Sequence, residues 1–158
     1  MLPKDLPQDI EILIIVITRS ESPNLRNLFR HIYGNAYNTD VNSFNLTFKY
    51  KLIFLFAIDD LATFMEEKNI IIENEKHQDM IIPMTEDSYK TVSMKLLFSF
   101  YWVSMLKTSK LKWIVKIDDD VLLNVQRLDE LMKTTQPNEI YCRARPSRKV
   151  LRSKILKW

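Results

Sequence analysis

Short continuous apolar runs alternate along the chain with longer stretches in which apolar residues recur every three or four positions. Ile10 to Ile17 is almost unbroken and β-branched, which predicts a strand buried on both faces, as in a parallel sheet. The polar, proline-containing residues 1–9 are a lead-in. After the break at Thr18-Arg19-Ser20-Glu21, Ser22 predicts a helix N-cap and Pro23 suits the first helical position. Leu25, Leu28, Phe29 and Ile32 then fall at helical spacing up to Gly34, where a C-cap glycine is wanted. Residues 35–45 read as a loop and Phe48 to Ile58 as a second strand. Asp59-Asp60 ends that strand and suits the start of a helix over Leu61–Lys68, with a metal site as the alternative reading of the pair. Ile70-Ile71-Ile72 either ends that helix or forms a short strand; Glu73 to Gln78 is polar, and Met80 to Ile82 reads as a strand.

Glu86 to Lys107 predicts one long helix, with Asp87 near its start and Lys107 at its end to suit the helix dipole. Its apolar residues, from Val92 to Leu106, cover most of its circumference, which predicts a central helix packed on several sides. Lys95 interrupts them. It either snorkels to the surface or faces a site where it meets a phosphate or carboxylate. Lys112 to Ile117 is a further strand, Asn124 caps a helix through Val125, Leu128, Leu131 and Met132, Thr134 to Asn138 is a turn, and Glu139 to Arg143 is a short strand. The order β-α-β-α-β-α-β-α-β predicts an α/β fold, a mostly parallel sheet with helices on both faces. Ligands of such sheets bind beyond the carboxyl ends of the strands.

Composition narrows the classes. With 158 residues, 46% apolar and 27% charged, the chain is long enough for one domain with a real core. No repeat or low-complexity segment divides it. A net charge of +3 is too mild to indicate nucleic acid. The excess is concentrated in a tail that carries Arg143, Arg145, Arg148, Lys149, Arg152, Lys154 and Lys157 without an acid, either solvated or anion-binding. The apolar run Ile12 to Ile17 is far too short to span a bilayer, and Pro3, Asp5, Pro7 and Asp9 break any leader-like stretch. Asn45-Leu46-Thr47 is a glycosylation sequon, meaningful only in the secretory pathway.

The chemistry centres on Asp118-Asp119-Asp120, wedged between Ile117 and Val121. Adjacent carboxylates repel and are costly to bury unpaired. Their apolar flanks predict the end of a buried strand where a site opens. A solvated turn and a partial helix cap are the plain alternatives. A divalent cation is the simplest partner, and oxygen ligands suit Mn²⁺ or Mg²⁺. Carboxylates two residues apart after a strand, with a metal, are one way to hold a nucleotide diphosphate. Arg26 and Arg30 stand one turn apart on the first helix, either as a solvated basic face or as guanidinium groups aimed at phosphate.

With its surroundings, the triplet resembles the metal-binding DxD motif of GT-A glycosyltransferases, and more closely the β-1,3-galactosyltransferase/N-acetylglucosaminyltransferase family (glycosyltransferase family 31, related to the fringe enzymes). That family reads K-T-D-D-D-V-F-V-N where this chain has Lys116-Ile117-Asp118-Asp119-Asp120-Val121-Leu122-Leu123-Asn124. Its upstream aspartate and D-x-Y-x-N-L-T-L-K, leading to a tryptophan, are similar to Asp79, Asp87-Ser88-Tyr89 through Lys95, and Trp102. Its R-R-x-A-I-R-x-T-W-G is similar to Leu25-Arg26 through Arg30 to Tyr33-Gly34, its Y-C-R to Tyr141-Cys142-Arg143, and its R-x-x-x-K-W to Arg152 through Lys157-Trp158. Tyr33 stands for the family tryptophan, Thr91 for its asparagine, Leu25 for its first arginine, and Met84 where an acid is common.

The resemblance implies a GT-A, Rossmann-like fold and an inverting, Mn²⁺-dependent transfer of galactose or N-acetylglucosamine from a UDP-sugar. The acceptor would be a glycan on a glycoprotein or glycolipid, in β-1,3 linkage, at the Golgi membrane. It implies Asp120 as the main metal ligand with Asp118, and Asp118 and Asp119 placing the ribose and donor sugar. Arg30 and Arg26 would face the nucleotide, and Asp87 and Lys95 would support the pocket. It further implies that residues 1–158 are one partial domain holding the donor half. The acceptor half, the catalytic base, a partner for Cys142 and the membrane anchor would lie outside them. Two readings compete: a UDP-sugar-binding remnant without activity, and a haloacid-dehalogenase-type phosphohydrolase, for which Leu122 stands where Thr or Val is wanted.

Overall fold

The two β-branched and aromatic runs form the inner strands of a four-stranded sheet. The structure, a computed structural model, describes residues 1–3, 6–34, 46, 48–58, 62–85, 88–106, 110–136 and 139–142. Strand β1 (Ile12–Ile17) leads to helix α1 (Pro23–Tyr33), β2 (Tyr50–Leu55), α2 (Phe64–His77), β3 (Met80–Ile81), α3 (Val92–Met105), β4 (Trp113–Asp118) and α4 (Val125–Thr134). The sheet order is β3-β2-β1-β4 and every pairing is parallel. β1 pairs along its whole length on both sides, from Ile12 with Tyr50 and Trp113 to Ile17 with Leu55 and Asp118.

The chain steps from β1 to β2 to β3 in one direction, then returns past β1 to β4. Parallel crossovers keep a right hand, so reversing direction moves the connecting helix to the other face. Phe29 and Tyr33 of α1, Ile70 of α2 and Val125 and Leu128 of α4 accordingly pack with Ile12, Ile14 and Val16. Trp102 of α3 packs with Leu13, Ile15, Ile53 and Leu55 on the opposite face. The helices flank a parallel sheet on both sides, as the alternating pattern predicts.

Several local expectations change. The helix expected over Leu61–Lys68, the isoleucine patch and the polar stretch behind it form the single helix α2. It starts at Thr63, whose hydroxyl accepts from the Glu66 amide while the Glu66 side chain accepts from the Thr63 amide. This capping box closes both ends of the first turn, and Gln78, at φ 52°, ends the helix by donating its amide to the Asn74 carbonyl. Helix α3 buries Lys95, Ser99 and Trp102, while Met94, Leu97, Tyr101 and Met105 form an exposed stripe. It lies against a single sheet face and is not packed all round. Strand β4 is the outermost strand, with Ile114, Lys116 and Asp118 exposed, because α3 covers β1, β2 and β3 and leaves the same face of β4 open. Residues 139–142 form no strand. Asp59, Asp60, Leu61, residues 35–45, Glu86, Lys107, Arg143 and the basic tail lie outside the described residues. No described helix is long and apolar enough to cross a membrane.

Helix α1 also turns a different face inward. Leu25 and Leu28 are exposed, and the buried residues are Arg26, Phe29, Arg30 and Tyr33. The arginines do not form a solvated face; their donors are taken up inside the protein. Arg26, 1% exposed, donates from Nε and Nη2 to the two carboxylate oxygens of Glu73 at 2.9 and 2.6 Å. Arg30 grips Asp79 with Nε and Nη2, both at 2.8 Å, and Glu73 with Nη1 at 2.7 Å. Each guanidinium also lies over a ring, Arg26 on Phe56 and Arg30 on Phe54. A charge leaves water only when paired in this way, and the bidentate forks fix α1 to α2 and to the start of β3.

Burial alone would push the Glu73 carboxyl up, but hydrogen bonds and charge from Arg26 and Arg30 outweigh it and hold it below its ordinary 4.5. A group depressed on folding contributes stability above its unfolded value and loses it as pH falls through the folded one. Glu73→Gln is therefore expected to cost about 3–5 kcal/mol at pH 7 in urea denaturation, as for other broken buried pairs. It should also remove part of the loss of stability that the parent shows below about pH 4.5.

Candidate functional site

The loops leaving β1 and β4 lie side by side at the carboxyl edge of the sheet and lead to helices on the same face. Thr18 leaves β1 there, and Asp118 to Asp120 leave β4. The Asp119 amide donates to the Ile17 carbonyl at 3.0 Å, continuing the β1–β4 ladder by one residue. The Thr18 hydroxyl donates to Asp119 Oδ2 at 2.7 Å. Thr18 is itself held by its amide, which donates to the Leu55 carbonyl at 3.1 Å. The middle carboxylate is thus turned inward and fixed to the loop after β1.

Its neighbours are turned outward. The Val121 amide donates to the Asp118 carbonyl at 3.3 Å, closing a turn that presents Asp120 to solvent. Asp118 is also exposed and pairs with Lys116 at 2.7 Å, both side chains well solvated. Such a surface pair contributes little and yields readily to another cation. Among the described residues no three His, Cys, Asp or Glu side chains gather closely enough to hold a metal ion. That does not conflict with a hard cation shared with a ligand, since Mg²⁺-like ions keep several waters and take one or two carboxylates plus phosphate oxygens. The outward oxygens of Asp118 and Asp120 suit that role.

Beyond the turn, Leu123 is held by Tyr33 at the end of α1. The Tyr33 hydroxyl accepts from the Leu123 amide at 2.8 Å and donates to the Leu123 carbonyl at 3.0 Å. Asn124 then caps α4 as expected, its side chain accepting from the Arg127 amide at 2.9 Å. A cleft of about 320 Å³ opens on the same edge, between the loop after β1 and the first turns of α2, with Ser20, Pro23, Arg26, Asn69 and Glu73 in its wall.

Of the residues singled out from sequence, Asp118, Asp119 and Asp120 therefore lie together at the carboxyl end of β4. Arg26 and Arg30 lie behind the cleft with their donors taken up by Glu73, Asp79, Asn27 and the carbonyls of Arg19 and Ser20. Lys95 is buried on α3 beside Ser99 and Trp102 and does not snorkel. Asp87 lies outside the described residues. Thr18 is an addition that sequence reading passes over, and Tyr33, which the sequence marks only as standing for the family tryptophan, gains its tie to Leu123 here. A threonine after a strand and a tyrosine at a helix end are ordinary, and their partners are 101 and 90 residues away.

A family model described as Galactosyltransferase matches residues 24–158. A lactosylceramide 1,3-N-acetyl-beta-D-glucosaminyltransferase of Xenopus tropicalis is 28% identical over 129 residues, 80% of this chain and 33% of that protein. A beta-1,3-galactosyltransferase 4 of Mus musculus is 28% identical over 135 residues, 81% of this chain and 32% of that protein. A human lactosylceramide 1,3-N-acetyl-beta-D-glucosaminyltransferase is 25% identical over 129 residues. The chain spans about a third of the length of these relatives.

Replacing Thr18 by valine keeps its shape and strips Asp119 of its hydroxyl donor. The expected cost is about 1–3 kcal/mol in urea denaturation, as for a hydrogen bond to a charged group, with Thr18→Ser close to the parent.

Proposed function

The chain belongs to the galactosyltransferase family, and from that membership we propose that it is the donor-binding part of a hexosyltransferase that uses a UDP-sugar. The observation that carries this reading is the split of the acidic triplet. Asp119 is held inward by Thr18, while Asp118 and Asp120 are exposed at the carboxyl end of β4. Ligands of open parallel sheets bind beyond the carboxyl ends of the strands.

In this reading Asp120 and Asp118 hold a Mn²⁺ or Mg²⁺ ion. When bound, such an ion would neutralise the charge that grows on departing UDP. Asp119, anchored by Thr18, fixes the height of the turn against β1 and stands beside the ribose and donor sugar. The neighbouring cleft is of a size to admit a nucleoside. Its carboxylates suit hydroxyl groups and would repel phosphate, so the diphosphate end points toward the triplet. Arg26 and Arg30 act from behind by locking α1 in place, and Lys95 and Asp87 belong to the pocket's support. The reaction itself breaks the bond from the sugar C1 to the UDP oxygen and forms one from C1 to an acceptor hydroxyl, which loses its proton to a general base.

Galactose or N-acetylglucosamine as donor sugar, a β-1,3 linkage to a glycan of a glycoprotein or glycolipid, and a Golgi membrane setting are part of the same proposal. Residues 1–158 are taken as one partial domain. The relatives' names support the linkage and the two sugars.

Calorimetric titration of the chain with UDP, with and without Mn²⁺, tests the reading. Binding is expected only with Mn²⁺ and is expected to vanish in Asp120→Ala. No heat under either condition, from a chain shown by circular dichroism to be folded, would overturn it.

A further inference from the structure

The turn that carries Asp120 is tied down on both sides. Before it, Asp119 is fixed to Ile17 and Thr18. After it, Leu123 has its amide and its carbonyl bound to one atom, the Tyr33 hydroxyl, at 2.8 and 3.0 Å. Asp120, Val121 and Leu122 between these ties are exposed. They project from the fold without core contacts that would define their path, so the position of Asp120 follows from its two ties.

Tyr33 is well fixed to serve as one. It is 3% exposed and stacks at a tilt on Phe29, with ring centroids 5.6 Å apart. Its own carbonyl accepts from the Tyr50 hydroxyl of β2 at 2.7 Å. Burial pushes the Tyr50 hydroxyl up to about 12, which keeps it a donor at any ordinary pH. Gly34 follows at φ 86°, so α1 ends at this residue. A phenol hydroxyl both donates and accepts, whereas an indole carries a donor and no acceptor. The tryptophan of the resembling motif could not serve both groups of Leu123, so this double tie is a property of the tyrosine in this chain.

We infer that Tyr33 is a positioning residue for the donor site, acting through the Leu123 backbone to set where Asp120 meets the metal–diphosphate group. The inference rests on the proposed function of the triplet. Losing the tie frees the far side of the turn, and the carboxylate then spends part of its time away from the ligand.

The test measures UDP affinity in saturating Mn²⁺ by calorimetry, together with melting temperature, for the parent, Tyr33→Phe and Tyr50→Phe. Tyr33→Phe keeps the packed ring and removes both bonds to Leu123. Tyr50→Phe removes a buried hydrogen bond from the same cluster and leaves the Leu123 tie intact. Both are expected to melt below the parent. Only Tyr33→Phe is expected to weaken UDP binding, by about threefold to tenfold, with Tyr50→Phe within twofold. Equal affinity of parent and Tyr33→Phe would overturn the inference while leaving the donor-site reading in place. A parent that binds no UDP would overturn both. If Tyr33→Phe fails to fold, amide exchange in the parent decides: the Leu123 amide is expected to exchange far more slowly than those of Val121 and Leu122, and equal rates would overturn the inference.

Discussion

The structure depends first on β1 being paired on both edges. A parallel strand with two neighbours has every backbone amide and carbonyl engaged, so it can be apolar on both faces, and Ile12 to Val16 are buried almost completely. Because the strands before and after the reversal both join β1, their carboxyl ends part on either side of it. The same reversal sends α3 to one face and leaves α1, α2 and α4 on the other. The acids stand at the carboxyl edge of the sheet because β4 ends beside Ile17.

The second constraint is electrostatic. Arg26 and Arg30 would be intolerable under α1 without Glu73 and Asp79. With them, α1 is fixed to α2 and β3, and its last residue is held at the height from which Tyr33 reaches Leu123. The ion pairs therefore contribute to the site without touching any ligand. Guanidinium groups in a family of nucleotide-sugar enzymes invite a phosphate-binding role. In this chain the donors of both are taken up inside the protein.

Features set by local pattern were legible in the sequence. The continuous runs of β1 and β2, Pro23 and Gly34 at the ends of α1, Asn124 at the start of α4, and the alternation that predicts a parallel sheet all stand. The acidic triplet lies at a strand end, although the strand is an outer one. Lys116, in the middle of the apolar run, was the sign that one face of β4 is open. Thr63 and Glu66 form a capping box that can be read from spacing alone, but the nearer Asp59-Asp60 drew the helix start forward. What was not legible depends on partners far apart in sequence. Apolar spacing alone put Leu25 and Leu28 inside, and only the meeting with Glu73 and Asp79, 47 and 49 residues on, turns the arginine face inward. The same holds for α3: its composition suits burial on all sides, and the open stripe from Met94 to Met105 shows which side the described residues leave uncovered.

The central claim is that the outward pair of the triplet, Asp118 and Asp120, holds a cation with the donor diphosphate at the carboxyl end of β4. The most direct measurement is an anomalous difference map, collected near the manganese edge, from crystals grown with UDP and Mn²⁺. The account predicts a peak within coordination distance of an Asp120 carboxylate oxygen, with the diphosphate on its far side and Asp119 still bound to Thr18. A manganese peak elsewhere, or UDP seated without any peak at the triplet, would contradict it.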